Sequence, residues 1–152
     1  MKRMDAWVRF GAALACADGK VTTEEASSLA ALAATLAKLD EATALRYLDE
    51  ARDGSAPSIT SVIDALGASS PDRAIEGLRW CYRIIVADGE EHPAETSVLR
   101  LGAAKLLGAG NEDRAVAFLR NDHATVGLRD VLENAAFEAG CQIETETSKG
   151  GV

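Results

Sequence analysis

Residues 87–95, Ala-Asp-Gly-Glu-Glu-His-Pro-Ala-Glu, indicate a duplicated fold, because a related segment, Ala-Asp-Gly-Lys-Val-Thr-Thr-Glu-Glu, lies seventy positions earlier at residues 17–25. The offset continues without a gap into the next segment, where five residues between positions 27 and 36 recur between 97 and 106. Such a register predicts two related halves, each made of a helix, an Asp-Gly turn and a second helix.

The rest of the chain is predicted to be helical. Its 152 residues are 47% hydrophobic, which suits one domain with a buried core. Apolar residues recur at helical spacing in eight segments, at about 5–18, 22–39, 40–54, 58–67, 71–88, 93–108, from 111 onward, and 124–139. We therefore expect an all-α, compact bundle of about 7–8 helices with an internal pseudo-two-fold helix-turn-helix repeat.

Two further expectations concern the layout of the chain. The segment 71–88 is apolar on most of its sides, so it is predicted to be the central helix. The domain is expected to cover residues 1–140, and residues 141–152 are polar without an apolar face, which predicts a mobile tail.

Charge and composition exclude several classes of protein. The net charge of −8 and the lack of a Lys/Arg cluster argue against nucleic-acid binding. No apolar run approaches the roughly 20 residues of a membrane-spanning helix, and Asp5 and Arg9 interrupt what would be an export signal. Three widely spaced cysteines form neither a disulfide framework nor a metal knuckle. We expect a cytoplasmic protein that does not insert into membranes.

The two repeated loops carry most of the net charge. The second loop has four carboxylates and the first has three with one lysine, so together they hold six of the eight net negative charges. Asp18 and Asp88 also fall at helix C-termini, where the helix dipole disfavours a carboxylate by roughly 0.3–1 kcal/mol. If the pseudo-two-fold brings the loops together, a hard divalent ion such as Ca²⁺ or Mg²⁺ would stabilise the cluster.

Each of these residues also has a structural interpretation. Glu25 is the third helical residue after Thr22 and completes a capping box, and Asp18 and Asp88 are typical of solvated Asp-Gly turns. Glu90 and Glu91 are typical of an exposed charged turn. His92 could bind a metal, although a single exposed histidine usually does not.

Known catalytic and calcium-binding motifs are not found. The spacing of seven residues from the aspartate to the last glutamate is shorter than the eleven of an EF-hand loop. The sequence also contains no supported Ser-His-Asp or Cys-His pair, no phosphate-binding glycine loop and no HExxH motif. We expect that the protein is not an enzyme.

The paired motifs resemble the TerB-like domains of tellurite-resistance proteins. The match covers Ala17-Asp18-Gly19 with Glu25, and Ala87-Asp88-Gly89 with Glu95, within residues 5–110. The resemblance implies a helical bundle with an acidic cluster that binds metal and a role in tellurite and chemical-stress response, often beside a membrane partner. It assigns the ligands to Asp18, Glu25, Asp88 and Glu95, with Glu24, Glu90 and Glu91 as weaker candidates.

Similar domains occur at the N-terminus of membrane-anchored J-proteins, which carry a His-Pro-Asp (HPD) signature. Here His92-Pro93 is followed by Ala94, so that signature is missing. A stand-alone TerB-like protein is therefore expected. Two functional hypotheses remain open at this point. One is a divalent-metal-binding stress-response protein, and the other is an interaction scaffold whose acidic loops bind a protein partner without metal. The identity of that partner and the oligomeric state are not set by the sequence.

Overall fold

The computed structural model describes residues 1–67 and 70–138, with side chains described up to residue 125. All regular structure in these ranges is helical, as predicted. Two compact units are distinguished, residues 1–119 and residues 120–152. The helices are α1 Arg3–Cys16, α2 Thr23–Leu32, α3 Glu41–Asp53, α4 Ile59–Leu66, α5 Pro71–Ile85, α6 Pro93–Leu107 and α7 Glu112–Glu138.

Local sequence signals explain most of the helix starts. Thr22 and Glu25 form the predicted capping box, in which Thr22 Oγ1 accepts from the Glu25 N–H and Glu25 Oε1 accepts from the Thr22 N–H. Asp40, Ser58 and Ser70 cap α3, α4 and α5 by accepting a hydrogen bond from the backbone N–H three residues on. At the starts of α2, α3, α4 and α5 a side chain therefore accepts from one of the first free N–H groups of the helix.

Two helix boundaries differ from the prediction. After α2 the chain forms a π-helical turn at Ala33–Ala37 and then reaches Lys38 in the left-handed conformation (φ 58°), so the regular helix ends before residue 39. The predicted break between a seventh and an eighth helix is absent, because α7 is one element from Glu112 to Glu138. No glycine or proline interrupts the sequence between residues 112 and 126, so propensity favours continuation there. The predicted tail at 141–152 lies outside the described residues.

The central helix of the first unit is α1, and the prediction for segment 71–88 was wrong. Helix α1 packs against α2, α3, α4, α5 and α6. Its small residues let neighbours approach from several sides, and Trp7, Phe10 and Leu14 are 1% exposed or less. Helix α5 instead keeps one charged face in water, formed by Arg73, Glu76, Arg79 and Arg83.

Packing of the two repeated helix pairs brings the acidic loops to one end of the first unit. Helices α1 and α2 flank the first loop and α5 and α6 flank the second, and α1 contacts both α5 and α6 while α2 contacts α5. Residues 14–33 and 84–103 also share the same order of buried and exposed positions. This agreement supports the expected duplication, and superposition of the two segments by a two-fold rotation stays a prediction.

The close approach of these helices depends on two glycines that lie under aromatic rings. A methyl group on Gly77 of α5 would overlap the Trp7 indole, and one on Gly102 of α6 would lie 2.6 Å from Phe10 Cζ. Trp7 and Phe10 also contact each other edge to face, with ring centroids 6.3 Å apart. Aromatic rings of α1 therefore pack directly on the backbones of α5 and α6.

None of the helices in the described part of the chain is long and apolar enough to cross a membrane.

We predict that Gly77→Ala destabilises the protein by about 1–3 kcal/mol, because the added methyl overpacks the Trp7 site. Helix propensity alone predicts the opposite sign, a gain of about 0.5–1 kcal/mol. Urea unfolding followed by circular dichroism measures the difference. Glu76→Ala, at the exposed position before it, is the control and should change stability by less than about 0.5 kcal/mol. A Gly77→Ala variant as stable as the wild type would contradict this packing.

Candidate metal centre

The two Asp-Gly turns have the same local geometry. Gly19 and Gly89 are both left-handed, with φ of 83° and 89°. Asp18 Oδ1 accepts a hydrogen bond of 3.0 Å from the Lys20 N–H, and Asp88 Oδ1 accepts one of 3.0 Å from the Glu90 N–H. Each aspartate thus uses one carboxylate oxygen to hold its own turn and keeps the second oxygen, Oδ2, for other contacts.

His92 joins the two loops. Its Nε2 atom lies 3.2 Å from Asp88 Oδ2 in its own loop and 3.8 Å from Asp18 Oδ2 in the other loop. The hydrogen bond to Asp88 raises the pKa of His92, and the charges of Asp88 and Asp18 act in the same direction. The pKa of Asp88 is lowered, first by the Glu90 N–H and then by His92. The imidazole therefore sits between two carboxylates that come from different halves of the repeat.

Two glutamates lie behind this layer and are almost completely buried. Glu95 is 0% exposed and Glu25 is 1% exposed. Glu25 Oε1 is held by the Thr22 N–H at 2.9 Å, whereas no other group among the described residues donates a hydrogen bond to Glu25 Oε2 or to either oxygen of Glu95 except the two carboxyls to each other. Burial raises the pKa of Glu95 to about 9, and the hydrogen bond with Glu25 and the charges of Glu25, Asp18 and Asp88 raise it further.

An ionised carboxylate is costly in this buried position unless a positive charge or several donors compensate it. Without a cation, the pKa of about 9 means that Glu95 is protonated at neutral pH. A divalent cation would replace that proton and lie against several oxygens at once. One donor atom from each of Asp18, His92 and Glu95 lies within 4.8 Å of the others, so a single ion could contact all three.

The structure brings the four main predicted residues into one cluster. His92 contacts both Asp18 and Asp88. A carboxyl oxygen of Glu95 lies within 4.8 Å of donor atoms of Asp18 and His92. Glu25 is close enough to Glu95 to raise its pKa. Whether these residues bind a metal stays a prediction.

The three weaker candidates lie elsewhere or have other contacts. Glu24 and Glu90 are exposed. Glu91 accepts a hydrogen bond of 2.6 Å from the Tyr82 hydroxyl and one of 3.3 Å from the Thr96 hydroxyl. Glu91 therefore fixes the second loop to α5 and α6, which is a structural role.

His92 is the residue that sequence reasoning undervalued. It occupies the N-cap position of α6, which corresponds to Thr22 at the N-cap of α2. Thr22 caps its helix through its side chain, and His92 makes no such bond. A residue that is unusual at an N-cap, in a loop whose other copy has a standard cap, is the signal that could have identified it.

Comparison with known proteins places these loops in a family. The family model described as Tellurite resistance protein TerB matches residues 4–119, a range that includes both loops and helices α1 to α6. No curated protein and no solved structure matches the chain.

We predict that the metal-free protein loses stability as pH rises from about 4.5 to about 9, because the unfolded chain releases the Glu95 proton near 4.5 and the folded chain holds it to about 9. Each unit of pKa difference corresponds to about 1.4 kcal/mol. The raised pKa of His92 also lowers the stability of the folded chain as pH rises, because the folded chain holds this proton to a higher pH than the unfolded chain. Glu95→Gln removes the titration, so its free energy of unfolding should decline less between pH 5 and pH 8.

Chemical denaturation in a chelating buffer at several pH values measures this slope. Glu90→Gln, which removes a charge at an exposed position of the same loop, is the control and should keep the wild-type slope. Equal slopes for wild type and Glu95→Gln would show that Glu95 is ionised in the fold, contrary to the expectation.

Proposed function

The chain belongs to the tellurite resistance protein TerB family, and on this basis we propose that it is a non-enzymatic stress-response protein whose two acidic loops bind one divalent metal ion. The observation that carries the proposal is the fully buried Glu95 carboxyl, which has no partner among the described residues except the equally buried Glu25 and lies in one group with Asp18 and His92. A bound cation would supply the positive charge that this carboxylate lacks.

The residues present fit such an ion. The free Oδ2 atoms of Asp18 and Asp88 face His92 Nε2, and Glu95 adds oxygens from the buried side. The turns that present Asp18 and Asp88 are held by their own backbone N–H groups, so the ligands are positioned before an ion arrives. The bound ion would link the two loops electrostatically. The protein residues would hold the ion in place and keep water away from the side that faces the core.

Helix dipoles make the four carboxylates unequal. Glu25 and Glu95 lie in the first turns of α2 and α6, where the positive helix end favours a negative charge. Asp18 and Asp88 follow the ends of α1 and α5, where the negative helix end opposes their charge. A cation bound between them would relieve this repulsion most strongly at the aspartates.

A metal-independent interaction scaffold is the second candidate function. It is favoured by the exposed side chains of Glu24 and Glu90, which lie in the same two loops and are free to meet a basic surface. For this second function we propose a protein partner in the cytoplasm. We propose that this partner is associated with a membrane, because the family members that this chain resembles often act beside a membrane protein. Long-range attraction of this kind weakens with salt.

We predict that a divalent ion raises the melting temperature, because it binds the folded chain and not the unfolded one. A hundredfold excess of ion over Kd corresponds to about 2.7 kcal/mol. Asp88→Asn keeps the oxygen that accepts from Glu90, and Glu95→Gln keeps the size of the side chain, so both should fold and lose most of this response. Thermal melts and isothermal titration with Ca²⁺, Mg²⁺, Mn²⁺ and Zn²⁺ measure the effect.

Glu24→Gln is the matched control, since it removes one exposed charge from the first loop and should keep the wild-type response. If no ion gives heat or stabilisation with the wild-type protein, the metal proposal is rejected and the scaffold function is favoured.

A further inference from the structure

We propose that His92 makes this a site for a four-coordinate transition-metal ion of the Zn²⁺ class, and not for Ca²⁺ or Mg²⁺. The inference rests on the proposed metal-binding function and names the ion. The sequence favoured a hard ion because carboxylates dominate the two loops and a single exposed histidine such as His92 usually does not bind metal. The structure adds an imidazole nitrogen, His92 Nε2, at the point where the two loops meet.

Each aspartate can offer a single oxygen. Asp18 Oδ1 and Asp88 Oδ1 are held by the N–H groups of Lys20 and Glu90, which leaves one Oδ2 on each. Calcium sites usually combine 6–8 oxygens and include carboxylates that bind through both oxygens. One-oxygen carboxylates are typical of smaller ions that take few ligands.

The other acidic residues of the two loops have other partners or are exposed. Glu25 is hydrogen-bonded to the Thr22 N–H and to Glu95. Glu91 accepts from the hydroxyls of Tyr82 and Thr96, and Glu24 and Glu90 are exposed. Within the described side chains, one donor atom from each of Asp18, His92 and Glu95 lies within 4.8 Å of the other two, and Asp88 Oδ2 contacts His92 Nε2 outside this group. These three protein donors, two oxygens and one nitrogen, leave one position of a tetrahedral site for water, as in zinc sites with three protein ligands.

The distances suit a small ion. In a tetrahedral site with bonds of about 2.1 Å, neighbouring donor atoms are separated by about 3.4 Å. His92 Nε2 is 3.2 Å from Asp88 Oδ2 and 3.8 Å from Asp18 Oδ2, values on either side of that separation. The donor atoms of Asp18, His92 and Glu95 lie at most 4.8 Å apart, so their widest separation would have to shorten by about 1.4 Å for all three to contact one such ion.

An ion pair between His92 and the two aspartates also explains the position of the imidazole. It does not explain why two glutamates, Glu25 and Glu95, are buried beside this group with carboxyl oxygens that find no donor other than each other. A metal ion accounts for both observations, because it binds the imidazole and the buried carboxylate together. Imidazole ligands favour Zn²⁺ and related transition metals, whereas Ca²⁺ and Mg²⁺ prefer oxygen.

The test is isothermal titration of the full chain, without an affinity tag, with Zn²⁺, Mn²⁺, Ca²⁺ and Mg²⁺ separately. We expect Zn²⁺ to bind at least about 100-fold more tightly than Ca²⁺. His92→Gln should weaken Zn²⁺ binding by about 100-fold and change Ca²⁺ binding by less than about threefold. His123→Gln, which replaces the other histidine of the chain, is the matched control and should bind Zn²⁺ as the wild type does.

A spectroscopic measurement on the unmutated protein guards against misfolding of the variant. Zn²⁺ should shift the Nε2 resonance of His92 in ¹⁵N NMR, and Co²⁺ should give the intense visible absorption of a four-coordinate site. His92→Asn, which introduces a favoured N-cap residue, provides a second variant expected to fold.

Three outcomes separate the two proposals. Tight Zn²⁺ binding that depends on His92 supports both. The choice of ion is overturned if Ca²⁺ binds more tightly than Zn²⁺, or if His92→Gln weakens the binding of all ions equally. Either result leaves the metal-binding function intact. The absence of binding by every ion overturns the proposed function itself.

Discussion

The structure depends on the direct packing of aromatic rings of α1 on glycine backbones of its neighbours. Trp7 lies over Gly77 of α5, and Phe10 lies over Gly102 of α6. These contacts bring the two helix pairs together along α1, which also packs against α2, α3 and α4. Because a side chain at either glycine would separate the helices, the same contacts determine that the Asp-Gly turns at the ends of α1 and α5 lie side by side.

Because the two turns lie side by side, acidic side chains of both loops come close together and repel one another, and this cluster is the candidate site. Asp18 and Asp88 face the same imidazole, and Glu95 is buried beside Glu25 with no other partner among the described residues. Burying two adjacent carboxyls is unfavourable unless a proton or a cation lies between them. The packing of the core therefore produces the cluster on which the proposed metal site rests.

The two acidic loops differ in the hydrogen bonds that their side chains form. In the first loop, Thr22 and Glu25 satisfy each other as a capping box. In the second loop, His92 replaces the threonine and bonds to Asp88, and Glu91 is fixed by Tyr82 and Thr96. The first loop thus contributes Asp18 of its turn to the candidate site, whereas the second contributes the imidazole of His92 and the buried carboxyl of Glu95.

The sequence by itself determined the features that depend on neighbouring residues. Helical periodicity, the capping residues Thr22, Asp40, Ser58 and Ser70, and the left-handed Gly19 and Gly89 are set by local backbone chemistry, and all are found in the structure. The tertiary structure alone decided that α1 is central, that Glu91 is held by Tyr82 and that His92 lies between two aspartates. These depend on contacts between residues far apart in the chain, since the ring of Trp7 meets Gly77 and the carboxylate of Asp18 meets His92 only after the helices have packed.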